Sequence, residues 1–269
     1  MDKSSGKALA DNISEFVKPY QGVEVLAPQD ALWGGYSLVD AELRGMSRLL
    51  RMSAEWTNYI NISGQDFPLK TQMYIRRFFT ANSGKQFIRA LDQRKERPDT
   101  LNRVKYLFVE ANGKINNTGR TRAFLSGDTP FIGTQWKAVT RGFCEFVCHD
   151  PSVGRFREFY RHSFIADESF FQTVMMNGGD HGIVINDDLR MIDWVPDGNI
   201  KLRPRNFNAE DIGRLQRSPA LFARKFDAEI DSEVLSLLER HLTSAAANTY
   251  CSVDVGSPSE GVERMTPVA

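Results

Sequence analysis

Across residues 37–56 the apolar side chains Leu38, Ala41, Leu43, Met46, Leu49, Leu50 and Met52 recur at helical spacing, with Ser37 placed to cap the first turn. The pattern then changes abruptly to a short β-branched run at 59–62 that stops at Ser63-Gly64, presents Asp66, and turns through Phe67-Pro68. A second helical stretch follows at 72–80, closed by Ala81-Asn82-Ser83-Gly84. With an alternating run at 22–26 ahead of the Ala27-Pro28 turn, the order reads βαβα. That order predicts an α/β fold with a mostly parallel central sheet flanked by helices, in which ligands bind at the carboxyl ends of the strands. Asp66 falls at such an end, with no second acid beside it to share a metal.

Further along, 89–102 is polar and highly charged, 106–109 reads as a strand, and 112–129, rich in Gly, Asn, Thr and Arg, reads as an excursion over the surface. The apolar segment 131–139 precedes a helix at 141–149; helices at 151–161 and 168–176, strands at 183–185 and 189–194, and a helix over 221–242 complete the pattern. The small and polar residues from Thr243 on read as a disordered tail. The expected organisation is one domain, 1–242, and a tail, 243–269.

A chain of 269 residues that is 41% hydrophobic can bury a full core. Lys+Arg and Asp+Glu both number 34, and this balance argues against a nucleic-acid binder that depends on phosphate neutralisation. The basic cluster at 89–105 is interleaved with Asp92, Glu96 and Asp99, as in a solvated face. No run of eighteen apolar residues occurs and the first residues lack a signal-peptide core, so the expected location is cytoplasmic. Peripheral contact with an inner membrane stays open, since it needs no spanning segment. Three cysteines make no disulfide framework, and the four histidines have no ligand spacing.

Several residues admit both a structural and a functional reading. Trp33-Gly34-Gly35 suits either a core tryptophan closed by a turn or close approach of backbone to a flat ligand. Asp66 either closes an Asx-turn or faces a site. Asp167 and Glu168 either complement the positive end of a helix or supply a general base shielded by Phe170 and Phe171. Arg224 and Lys225 are either a solvated helix edge or part of a diphosphate clamp, with Lys225 as a point charge and Arg203 or Arg205 as the forked partner.

Taken in order, Asp2-Lys3-Ser4, Trp33-Gly34-Gly35-Tyr36-Ser37-Leu38-Val39, the 63–71 run SGQDFPLKT, Gly133 with Trp136, Thr140-Arg141, Asp167-Glu168-Ser169-Phe170-Phe171-Gln172-Thr173 and the 222–227 run FARKFD resemble a known family. It is that of the core-2/I-branching β-1,6-N-acetylglucosaminyltransferases and the related protein xylosyltransferases. The resemblance spans about residues 1 to 242. It implies a Rossmann-like glycosyltransferase fold of the A type and inversion at the anomeric carbon. It also implies a UDP-sugar donor, a glycan acceptor, no cofactor and no metal, with basic side chains neutralising the departing diphosphate. Carried over by position, it makes Glu168 the catalytic base, Lys225 a diphosphate ligand with Arg203 preferred over Arg205 beside it, and Asp2 a uridine contact. Trp194 matches an acceptor-lining aromatic, and Trp33, Gly34, Asp66, Trp136 and Asp167 fall near the site.

The chain departs from the family pattern in beginning at Met1, just before Asp2, so that the family's first strand and its following His-x-Asp have no counterpart. It also lacks the luminal cysteines and membrane stem of animal members, which suits a bacterial version, and places Pro196 where those carry a second acceptor-lining aromatic. The leading expectation is therefore an inverting, metal-independent transferase using UDP-N-acetylglucosamine, with UDP-xylose as the nearest rival donor. A non-catalytic nucleotide-sugar or glycan-binding subunit is the alternative from another class. The sequence gives no sign of oligomeric state.

Overall fold

The computed structural model of the chain describes residues 2–198, 201–248 and 264–265. Its centre is a five-stranded sheet of β1 (Asn58–Ile60), β8 (Lys137–Thr140), β3 (Lys85–Ile88), β9 (Ile183–Ile185) and β14 (Arg264–Met265), in that spatial order. Neighbouring residues on β8, β3 and β9 face opposite sides, and both sides are buried. Ile88, Val139 and Val184 enter one apolar cluster, while Phe87, Ala138 and Ile185 enter another.

The first cluster is covered by α2 (Tyr36–Met52), α5 (Arg141–His149), α6 (Gly154–Tyr160) and α7 (Phe170–Asn177), through Val39, Leu43, Phe143, Phe156, Tyr160, Phe170 and Phe171. The second is covered by α3 (Gln72–Ala81), which contributes Ile75 and Phe79. A three-stranded sheet orders β10 (Arg190–Ile192), β13 (Phe222–Arg224) and β2 (Asp66–Pro68). Beside it a third cluster joins Leu69, Phe207 and Phe226 to α8 (Ile212–Arg217) and α9 (Ser232–Asn248). Short pairings of β4 (Leu91–Asp92) with β7 (Phe131–Ile132), β5 (Tyr106–Ala111) with β6 (Lys114–Thr121), and β11 (Trp194–Asp197) with β12 (Lys201–Pro204) complete the strands. Helix α4 (Asn102–Lys105) adds Val104 to the first cluster, whereas α1 (Lys7–Val17) buries none of its residues.

The fold is α/β, as the periodicity predicts, but the sheets are mixed. Among neighbouring strands of the five-stranded sheet only β3 and β9 pair in parallel: β8 is antiparallel to both β1 and β3, and β14 is antiparallel to β9. Residues 22–26 form no strand: their alternation meets no neighbouring strand among the described residues, and only the isolated bridge between Asp2 and Gln29 marks the place. The polar 112–129 excursion contains β6, paired with β5 across Asn112-Gly113, a two-residue turn with φ of 53° and 69°.

The helix expected over 221–242 is instead β13 followed by α9. Phe222 and Ala223 are buried in different clusters, as the centre of a three-stranded sheet requires. Helix α9 continues to Asn248, past the expected boundary at 242, and most of the expected tail lies outside the described residues. The cap of α2 is Gly35 rather than Ser37, whose N–H donates to Glu110 Oε1 at 3.0 Å. None of the described helices is long and apolar enough to cross a membrane.

Candidate active site

Glu168 ends a 3-10 turn, Ala166–Glu168, immediately ahead of α7. The turn is fixed on three sides. The Glu168 carbonyl accepts from Gly133 N at 2.8 Å, the Ile165 N–H donates to Gly34 O at 2.6 Å, and the Phe164 N–H donates to Arg103 O at 2.9 Å. Ile165 carries φ of 51°, a left-handed conformation that a β-branched residue adopts only under strong constraint. The Glu168 side chain remains 33% exposed, with Oε2 accepting from Arg103 Nη1 at 2.7 Å.

Asp167 beside it is buried, and burial, reinforced by the neighbouring Glu168 charge, pushes its carboxyl up to about 7. Its Oδ1 has no hydrogen-bond partner. A buried ion pair ties the neighbouring β8 to α2: Lys137 Nζ donates to Glu42 at 2.8 and 3.0 Å and lies 4.1 Å from the centre of the Phe171 ring.

The segment from Gly133 to Trp136 leads from Glu168 to a second group of side chains. Gly133 is required here by close approach, since a Cβ would lie 1.8 Å from Arg89 O. The Trp136 ring, buried in the core, carries Arg224 on one contact at 4.4 Å and Arg190 on another at 5.1 Å. Asp66 answers both cations. Its side chain is 1% exposed, its Oδ1 lies 3.8 Å from Arg224 Nε, and β2 sets Asp66 directly opposite Arg224 on β13. Burial lowers both arginine pKa values and the Asp66 charge opposes that shift, joined at Arg190 by Asp188, so carboxylates hold both guanidinium groups.

Arg190 also donates to Asn61 O, yet its Nε and Nη1, with Arg224 Nε and Asp66 Oδ1, lack hydrogen-bond partners. Among the described residues no three His, Cys, Asp or Glu side chains gather to ligate a metal. A cation at Asp66 would also sit against two guanidinium groups.

Lys225 follows Arg224 directly. Its carbonyl accepts from Phe207 N at 2.9 Å, and its ammonium has no ion pair among the described residues. The solvated helix edge is thus replaced by the end of a buried strand. Trp33 is 72% exposed, which overturns the core-tryptophan reading, and it packs edge-on against Phe164 with ring centres 5.9 Å apart. The close approach that the glycines allow is to protein: a Cβ on Gly34, at φ of 79°, would meet the Phe164 ring at 2.8 Å, and one on Gly35 would meet the Glu110 carboxylate at 2.6 Å. Asp2 joins this end of the molecule: its carboxylate accepts from Ser4 Oγ, from Ser4 N and from Ala31 N at 2.9 Å, which hold it below the usual range.

The structure therefore connects Glu168, Asp167, Trp33, Gly34, Trp136, Asp66 and Lys225 through a continuous set of contacts. Trp194 and Arg203 lie on the β11–β12 hairpin, with no described hydrogen bond or ring contact to Glu168 or Lys225, whereas Arg205, just after it, sits 5.3 Å from the centre of the Phe207 ring, and Phe207 N donates to Lys225 O. Trp194 is half exposed and Arg203 is 58% exposed, facing Asp197 at 3.8 Å. Arg205 is committed elsewhere, to Asp193 at 2.6 Å and to Asp211 at 2.6 and 2.8 Å, so its fork is not free for a diphosphate.

The sequence reading assigns no role to Arg103 or Arg190 and none to Arg224 beyond its place beside Lys225. Each acts through a partner distant in sequence, and only the Arg-Lys dipeptide between aromatics signals any of them.

A model of the Core-2/I-Branching enzyme family matches residues 1–216. Xylosyltransferase 2 of Mus musculus is 30% identical over 90% of this chain, and that of Homo sapiens is 30% identical over 92% of it. Xylosyltransferase 1 of Rattus norvegicus is 27% identical over 90% of the chain. The chain spans about 30% of the length of these curated relatives. The match over residues 1–216 and the identity shared across nearly the whole chain carry one conclusion: the chain belongs to the Core-2/I-branching enzyme family of glycosyltransferases.

Proposed function

We propose that the chain transfers a sugar from a UDP-sugar to a hydroxyl of a glycan acceptor, with inversion and without a metal, on a Rossmann-like scaffold of the A type. In this reading the acceptor oxygen attacks the anomeric carbon and gives its proton to the Glu168 carboxylate, while the bond from that carbon to the β-phosphate oxygen breaks. The negative charge gathering on the leaving diphosphate is met by Lys225, whose ammonium has no ion pair among the described residues, and by the positive charge of the adjacent Arg224, which is paired with Asp66. Arg203 stays as a further candidate for that clamp, Trp33, Trp136 and Asp167 as candidates for the sugar-binding surface, Trp194 for the acceptor and Asp2 for the uridine.

The observation that carries the reading is the Glu168 turn, whose carboxylate is reachable and whose backbone is tied through Gly133 and Trp136 to Arg224, the last residue of β13, and so to Lys225 after it. The donor sugar is the finer question. Similarity to proteins named xylosyltransferases favours xylose, and the resemblance to branching enzymes keeps N-acetylglucosamine as the second reading.

The test is UDP release from UDP-xylose and UDP-N-acetylglucosamine, with and without glycan acceptors, by the wild-type chain and by Glu168→Gln. Turnover that falls at least about 100-fold in the variant, with UDP affinity kept, supports the assignment. Normal turnover in Glu168→Gln overturns the base. Absence of turnover with either sugar, alongside retained UDP binding, favours the non-catalytic nucleotide-sugar-binding subunit.

A further inference from the structure

We infer that Arg103 is a positioning residue for Glu168, an inference that rests on the reading of Glu168 as the base. The two residues are 65 apart in sequence, yet Arg103 grips the Glu168 turn twice. Its carbonyl accepts from Phe164 N at 2.9 Å where the turn begins, and its Nη1 donates to Glu168 Oε2 at 2.7 Å where the turn ends. The guanidinium fixes one carboxylate oxygen and leaves Oε1 without a protein partner, which is the arrangement a base needs to face an acceptor hydroxyl with a single free oxygen.

Arg103 is itself held. Val104 beside it is buried in the core, and its carbonyl and that of Lys105 accept from Arg122 Nε at 3.3 Å and Arg122 N at 2.8 Å. At the other end of the segment, Gln93 Nε2 donates to Thr100 O and Thr100 Oγ1, both at 3.1 Å. The other charges around Glu168 cannot substitute. Asp167 offers no positive charge, and Arg97 is engaged with Asp99 at 2.9 and 3.0 Å. Without Arg103 the glutamate would gain rotamers, and fewer encounters would present a free oxygen to the acceptor.

The experiment compares wild type, Arg103→Ala, Arg103→Lys and Glu168→Gln by UDP release from both UDP-sugars, with thermal midpoints recorded to show that each variant folds. Arg103→Ala is expected to lower kcat about 10- to 100-fold with KM for the donor within about threefold, because the arginine acts on the base and not on the donor. Arg103→Lys should recover part of the loss, and guanidinium ion added to Arg103→Ala should restore activity while leaving wild type unchanged.

An Arg103→Ala variant within threefold of wild type, or one that guanidinium does not rescue, overturns the inference. If Glu168→Gln is inactive while Arg103→Ala is normal, only the positioning role fails. If Glu168→Gln turns over normally, the base assignment fails and the positioning role falls with it.

Discussion

Replacing Gly133 by alanine puts the link between the two halves of the site under direct strain. A Cβ at this position would lie 1.8 Å from Arg89 O, a backbone atom that no side-chain rotation can move away. Reaching even the shortest separation that real Cβ atoms show, 3.0 Å, requires the chains to part by about 1.2 Å. The same peptide donates its N–H to the Glu168 carbonyl at 2.8 Å, so the displacement reaches the proposed base. A misplacement of about 1 Å at a reacting group costs on the order of 100-fold in rate. Overpacking costs about 1–3 kcal/mol of stability, or a fall in Tm of roughly 2–4 °C for each kcal/mol.

UDP release measured at saturating donor, beside a thermal melt, reads both effects. A Gly133→Ala protein that keeps kcat within threefold and Tm within about 1 °C would refute the reasoning. It would mean that the contact with Arg89 relaxes freely and that the Gly133 peptide does not hold Glu168.

Asp66→Asn removes the carboxylate that β2 sets opposite Arg224; at 3.8 Å and an effective dielectric of about 20 the lost attraction is about 4 kcal/mol, and breaking such buried pairs costs about 3 kcal/mol net. Urea unfolding should show that loss, whereas the double change Asp66→Asn with Arg224→Met should be less destabilised than the single one; a single-variant cost under about 1 kcal/mol contradicts the pairing. Asp167 makes stability depend on pH in a defined direction. Its folded carboxyl keeps a proton up to about 7 while an unfolded one releases it near about 4, so the native state binds more protons in that window and stability falls as pH rises through it. Asp167→Asn should therefore gain on wild type by up to about 4 kcal/mol between pH 4 and pH 8 in urea midpoints, and a difference that does not change with pH would count against the burial of a protonated acid.

Local sequence carries some of this molecule and not the rest. Helix α5 is legible to the residue because Thr140 caps it, accepting from Phe143 N at 3.3 Å, and its buried positions follow a helical repeat. Strand β9 is equally legible as an apolar run bounded by turns. The β5–β6 hairpin carries its signal in Asn112-Gly113, but the polar strand β6 has no alternation to accompany it, and the loop reading prevails over the turn.

Strand β13 is hidden for a different reason: three residues between two neighbouring strands are set by partners far along the chain, and the charged stretch that follows resembles a helix. The site divides in the same way. Glu168, Lys225 and Trp136 stand out as motif residues, whereas the partners of Glu168 and Asp66 are Arg103 and Arg224, which only the folded chain brings to them.

The central claim is a diphosphate held by basic side chains in place of a metal, and calorimetric titration of the chain with UDP in the presence of a chelator tests it most directly. The account predicts binding that survives chelation and weakens about 10- to 100-fold in Lys225→Ala, the loss of one charge-assisted contact. Binding that appears only with an added divalent cation, or that is unchanged in Lys225→Ala, would contradict it.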